Sequence, residues 1–189
     1  MSSHHIVREK QEPALLALGL DNFSEELLGQ LLEWSPTVIT TTTTAEKINA
    51  YGIKVDMVIT DEPEVALQSD LKLIPPGQDS ETEAALKFLI SGGYPSVNVV
   101  TDDFQLKDFL FYADKINLVI FCNGQKIFPV TSGFSKWKPA GETIYLLSNP
   151  TDLHLSGLTY TGDNQYTTSH DGFFTLQFDQ LFLFIAEEI

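Results

Sequence analysis

Cationic side chains are scarce in this chain. Its 189 residues include 11 Lys and Arg against 26 Asp and Glu, a formal net charge of −15. Such a field repels nucleic acid and anionic membranes, which are bound through basic patches. A nucleoside triphosphate would need metal ions or well-placed Lys and Arg to enter, and few cations are free for that task. There is one cysteine, Cys122, so no intrachain disulfide forms, and a reducing, cytoplasmic location is expected. Apolar runs are short, as in Leu181–Ala186, against the roughly 20 residues of a membrane-spanning helix. The start M-S-S-H-H-I-V-R-E-K has no apolar stretch of the kind a signal peptide carries. Also absent are G-x-x-x-x-G-K-[ST], G-x-G-x-x-G after a strand, H-E-x-x-H and C-x-x-C.

What is present is a core. Apolar residues make up 43% of the chain and charged residues 20%, which suits a globular protein. Up to about Asn123, β-type runs alternate with helical patterns. Strands are expected at Pro13–Leu20, Val38–Thr42, Val55–Thr60, Leu71–Ile74, Ser96–Thr101 and Ile116–Cys122. Between them, Leu27, Leu28, Leu31, Leu32 and Trp34 mark one face of a helix that Ser24 would cap. Ala45–Tyr51 reads as helical, with Gly52 as its stop. Ser80 and Glu83 have capping-box spacing, and Gly92-Gly93 closes the helix they open. A further helix is expected over Asp103–Ala113. Repeated β-then-α implies a mostly parallel sheet covered by helices. The Thr40–Thr44 run is accounted for by β-propensity.

From the tight-turn dipeptide Asn123-Gly124 onward the texture is all strand. Lys126–Val130, Glu142–Ser148, Leu153–Tyr160, Phe173–Phe178 and Leu181–Ala186 read as strands of a small antiparallel β-sandwich. The fold class expected is thus α/β, with an N-terminal domain over 1–123 and a C-terminal β-sandwich over 124–189.

Histidines 4, 5, 154 and 170 have no evident carboxylate or nucleophile partner, and Cys122 reads as core. The remaining chemistry is acidic. Asp61, Asp102 and Asp103 follow expected strands, and Asp79, Glu81 and Glu83 crowd a helix start. Ligands of open parallel sheets bind beyond the carboxyl ends of the strands. Carboxylates converging there would hold Mg²⁺ with waters and phosphates. Equally, each acid would cap the helix that follows, because helix N-termini attract Asp and Glu.

Several stretches resemble thiamin pyrophosphokinases, over nearly the whole chain. They are S-S-H-H-I-V-R-E-K-Q-E-P-A, E-L-L-G-Q-L-L-E-W-S-P-T-V-I, G-I-K-V-D-M-V-I-T-D, Pro76–Asp79, Val97–Val100 and Ser156–Tyr160. The resemblance implies an α/β domain followed by a β-sandwich, with active sites between subunits of a homodimer. It also implies transfer of a diphosphate from ATP to the hydroxyl of thiamine, assisted by Mg²⁺ and cations.

Most of that family's charged motifs are altered. In the G-D-x-D-S turn, Asp61 matches the first aspartate but Pro63 replaces the second. In D-Q-D-K-T-D, Gln78 and Asp79 match, while the lysine and last aspartate are lost. Glu81 and Glu83 flank the lost position, yet a one-residue shift turns a helical side chain by about 100°. In the glycine- and arginine-rich third motif, Asp108 matches, but the arginines and histidine are gone. Asp102 and Asp103 put negative charge where phosphate is expected there. The fourth, thiamine-holding turn is shortened to Thr167-Thr168-Ser169-His170, without the asparagine.

Three readings follow from the resemblance. The first is a weakly active or inactive member that keeps the fold as a ligand-binding or regulatory module. The second is a working enzyme using ATP, in which Asp61, Asp79 and Asp108 are catalytic. Asp61, Asp79 and Glu81 or Glu83 would then hold Mg²⁺, with Gln78, Lys107 and Ser169 on the ligands. The third is a structural partner of an active relative, docking through Phe173, Phe174, Phe178, Phe182 and Phe184. Strand alternation would instead send such rings into the core.

Overall fold

The computed structural model describes residues 12–62 and 71–189. Pro63, Glu64, His4, His5 and the N-terminal stretch of the resemblance lie outside them. Two compact units are formed, Met1–Leu118 and Val119–Ile189.

In the first unit the strands are β1 (Ala14–Ala17), β2 (Val38–Thr41), β3 (Met57–Ile59), β4 (Lys72–Ile74) and β5 (Ser96–Val100). They pair in parallel in the order β5-β1-β2-β3-β4. β1 is central and wholly buried, as its unbroken apolar A-L-L-A requires of a strand covered on both faces. Helix α1 (Glu25–Leu32) starts where the Ser24 side chain accepts the Leu27 N–H. Helix α2 (Thr42–Ala50) packs on β2 and β3. Helix α3 (Glu81–Ser91) packs on β3 and β4, and its Ser80/Glu83 capping box is complete.

Two expectations are corrected here. The threonine run is not a strand throughout. Thr40 and Thr41 end β2, and Thr42–Thr44 open α2 with Thr41 as N-cap. Side-chain capture of backbone groups outweighs β-propensity at this point. The helix expected over Asp103–Ala113 shrinks to α4 (Lys107–Leu110), flanked by turns. Its front is spent on another motif: the Thr101 hydroxyl accepts the Asp103 N–H and donates to the Asp103 carbonyl.

β6 (Asn117–Cys122) crosses into the second unit, and Asn123-Gly124 turns the chain into the next strand. Both turn residues have positive φ, 49° and 74°, the geometry that matches hairpin twist. The other strands are β7 (Gln125–Val130), β8 (Phe134–Lys138), β9 (Thr143–Leu146), β10 (His154–Ser156), β11 (Leu158–Gly162), β12 (Gln165–Thr168), β13 (Gly172–Gln177) and β14 (Leu183–Glu188). They pair antiparallel as β11-β12-β9-β14-β7-β6 and as β10-β13-β8. Inward residues of β7, β9, β13 and β14, with Phe134 of β8 beside them, form one apolar cluster.

The strand expected over Leu153–Tyr160 is two strands. Gly157 (φ +74°) breaks it, and a Cβ there would lie 2.8 Å from the Phe173 carbonyl oxygen. β10 then pairs with β13, and β11 with β12. Strand β8 went unread because its inward positions are Phe134, Lys136 and Lys138, which mimic a polar loop. Both lysines reach Glu187 of β14, which is 3% exposed. Lys136 hydrogen-bonds Oε1, and Lys138 reaches Oε2 at 2.5 Å as an ion pair without the alignment of a hydrogen bond. Of the C-terminal phenylalanines, Phe174, Phe178 and Phe184 are buried, while Phe173 is 64% exposed opposite Trp137. Among the described residues no helix is long and apolar enough to cross a membrane.

Burial pushes the Glu187 carboxyl up, but Lys136 and Lys138 outweigh it and hold the group below its usual range. Its contribution is therefore present above the unfolded carboxyl pKa of about 4.3 and fades as pH falls through the lower folded value. Glu187→Gln is expected to cost roughly 3 kcal/mol at neutral pH, measured by urea unfolding. The deficit should shrink in acid, and a deficit independent of pH would refute the ionic account.

Candidate functional site

In the first unit, β1 feeds β2, β3 and β4 on one side, and β5 returns on its other side. The order reverses between β1 and β5. Open α/β sheets place their ligand crevice at such a point, beyond the carboxyl ends of the strands. The loop after β1 (residues 18–24) and the turn after β5 (residues 101–106) meet there.

The β1 loop is held from two sides. On one side the Thr40 hydroxyl donates to the Ala17 carbonyl at 2.7 Å, and Thr44 donates to the Leu18 carbonyl at 3.1 Å. Lys47 of α2 pairs with Asp21. On the other side Asp102 accepts the Asp21 N–H at Oδ2 and the Asn22 N–H at Oδ1, both at 2.9 Å. Gly19 makes room for this carboxylate, since a Cβ there would lie 2.4 Å from Oδ2. Sequence reading singled out Asp102 for its charge and missed its partners, which lie 80 and 81 residues away.

A second group forms around the start of α3. Asp79 pairs with Lys87 at 2.5 Å across two helical turns. Glu83 closes the capping box by accepting from the Ser80 N–H at 3.2 Å. The hydrogen bond that Lys87 donates to Asp79 raises the Lys87 pKa above its usual value. Tyr112 is buried nearby; burial first, then the charge of Glu83, raises its phenol, which Lys87 partly offsets. Lys87 and Tyr112 were not foreseen, because a lysine six residues past a helix start carries no motif signal.

The remaining expected residues are dispersed. Asp61 is exposed just past β3. Gln78 is exposed in the turn before α3, and Glu81 is exposed in its first turn. Lys107 and Asp108 open α4. Ser169 belongs to the second unit, where its hydroxyl shares a hydrogen bond with His170 Nδ1 at 2.8 Å. Among the described residues, no three His, Cys, Asp or Glu side chains are grouped as a metal site would group them. Cys122 is buried on β6.

Solved structures share this fold. A thiamin pyrophosphokinase from Geobacillus thermodenitrificans superposes with a TM-score of 0.68 at 11% identity, over 93% of this chain and 96% of that one. A probable thiamine pyrophosphokinase from Staphylococcus saprophyticus gives 0.66 at 13% identity, over 93% and 98%. Thiamin pyrophosphokinase from Candida albicans gives 0.66 at 12%, over 94% and 90%. The fold is that of the thiamin pyrophosphokinases. At these identities the likeness is one of fold. No protein-family model matches the chain, and no curated protein matches its sequence.

Gly19→Ala tests the close approach at the crevice. The added methyl would press on Asp102 Oδ2 and on its backbone nitrogen at 3.0 Å. A loss of about 1–3 kcal/mol is expected, read by chemical unfolding. An unchanged midpoint would show that the contact tolerates a side chain.

Proposed function

We propose that this chain is a thiamin pyrophosphokinase-like protein of weak or no turnover, keeping the fold as a ligand-binding or regulatory module in the cytoplasm. One observation carries the reading. Three of the acidic groups read for the site have partners within the chain: Asp79 has Lys87, Glu83 has Ser80, and Asp102 has the amides of Asp21 and Asn22. Catalysis of phosphoryl transfer rests on groups aimed at phosphate oxygens and metal. Groups already paired internally are not so aimed, and removing one electrostatic donor commonly costs 10²–10³ in rate.

The ligand in this reading is thiamine or a related small molecule. Mg²⁺ and ATP belong to the working-enzyme reading, with Asp61, Asp79, Glu81 and Glu83 as metal ligands, Asp108 as the third catalytic carboxylate, and Gln78, Lys107 and Ser169 on the ligands. As arranged, that donor set does not fit a shared divalent ion, because Asp79 and Glu83 are otherwise engaged and, among the described residues, no three ligands are grouped. A homodimer, or pairing with an active relative, has support in the exposed cross-strand pair Trp137 and Phe173, since adjacent exposed aromatics mark contact surfaces.

Purified protein incubated with thiamine, ATP and Mg²⁺ is expected to form no thiamine diphosphate above a trace, followed as its fluorescent oxidised derivative. Turnover near about 1 s⁻¹ or more, abolished by Asp61→Ala, would overturn the proposal and favour the rearranged enzyme.

A further inference from the structure

We propose that Asp102 is a built-in oxyanion that occupies the phosphoryl-binding position of the switch-point crevice and keeps external phosphate out. Two backbone N–H groups, of Asp21 and Asn22, converge on one carboxylate, each on a different oxygen at 2.9 Å. Successive amides aimed at one point form an anion-binding concavity, and here the anion is supplied by the chain itself. The carboxylate comes from the turn after β5, and the amides from the loop after β1. They meet across the reversal of strand order, where α/β sheets hold ligands.

Three further features shape the position around this carboxylate. Gly19 leaves the backbone open to close approach, with room for Oδ2 where any other residue would place a Cβ. The hydroxyls of Thr40 and Thr44 fix the carbonyls of Ala17 and Leu18, so the loop keeps its amides turned toward Asp102. Lys47 neutralises Asp21, the loop's own acid, so its charge does not oppose the carboxylate bound at its amide.

A tethered carboxylate competes at a high effective concentration and repels any phosphate that approaches. The wild-type crevice therefore takes ligands without a phosphoryl group at this position. The inference deepens the non-catalytic reading and rests on it in one respect, that no triphosphate needs to enter here. The two are separable, because turnover is read from product and occupancy is read at two named amides.

The test is a titration of ¹⁵N-labelled full-length protein with inorganic phosphate, following the Asp21 and Asn22 amide resonances. Wild type is expected to show no saturable shift. Asp102→Ala is expected to show saturable shifts at both amides, with affinity at least about tenfold above any seen in wild type. Asp102→Asn, which keeps the shape and loses the charge, should fall between them, and it serves should the alanine variant fold poorly. Wild type that saturates at these amides would overturn the proposal. So would folded variants of both kinds that bind phosphate no better than wild type.

Discussion

The parallel pairing of β1 with β2 on one side and β5 on the other is the constraint on which the first unit depends. β1 is short and wholly apolar, so it is stable only with sheet on both edges and cover on both faces. That pairing ends the two strands side by side, with Ala17 opposite Val100. Two residues further on, Gly19 lies against Asp102. The carboxylate then finds amides that would otherwise be left open at a strand end. A packing requirement in the core thus decides which polar groups meet at the crevice.

Several charges in this molecule have partners within the chain. Asp102 is held by amides, Asp79 by Lys87, Asp21 by Lys47 and Glu187 by Lys136 and Lys138. Of the 11 cationic residues, Lys87, Lys47, Lys136 and Lys138 are used in these pairings. At the α3 group, two partly exposed side chains are paired, which contributes little to stability yet changes what the site can attract. At Glu187 the opposite holds. A buried carboxylate between two lysines on a neighbouring strand ties the two sets of antiparallel strands together at their polar end, and its loss would leave cations uncompensated.

The fold was largely legible. Hydrophobic periodicity, the Ser24 and Ser80 caps, Gly52, Gly92-Gly93 and Asn123-Gly124 are local signals, and each sits where its element begins or ends. Failures came where a distant partner overrode a local signal. Strand β8 looks like a loop because its inward lysines have Glu187 as partner some fifty residues away. Leu153–Tyr160 looks like one strand because only the close approach of the Phe173 backbone makes Gly157 a break. One failure was local instead: residues 103–106 look helical, but the Thr101 hydroxyl captures the backbone of Asp103 two residues on.

The site was legible in composition and not in arrangement. By itself the sequence determined the order of elements and the poverty of cations, because these depend on residue type and short spacing. Only the tertiary structure decided which groups those carboxylates serve. Hydrogen bonds between residues 80 positions apart depend on strand order and register, which local pattern does not encode. Asp102 was therefore a negative charge in the sequence and became, in the folded chain, the occupant of its own crevice.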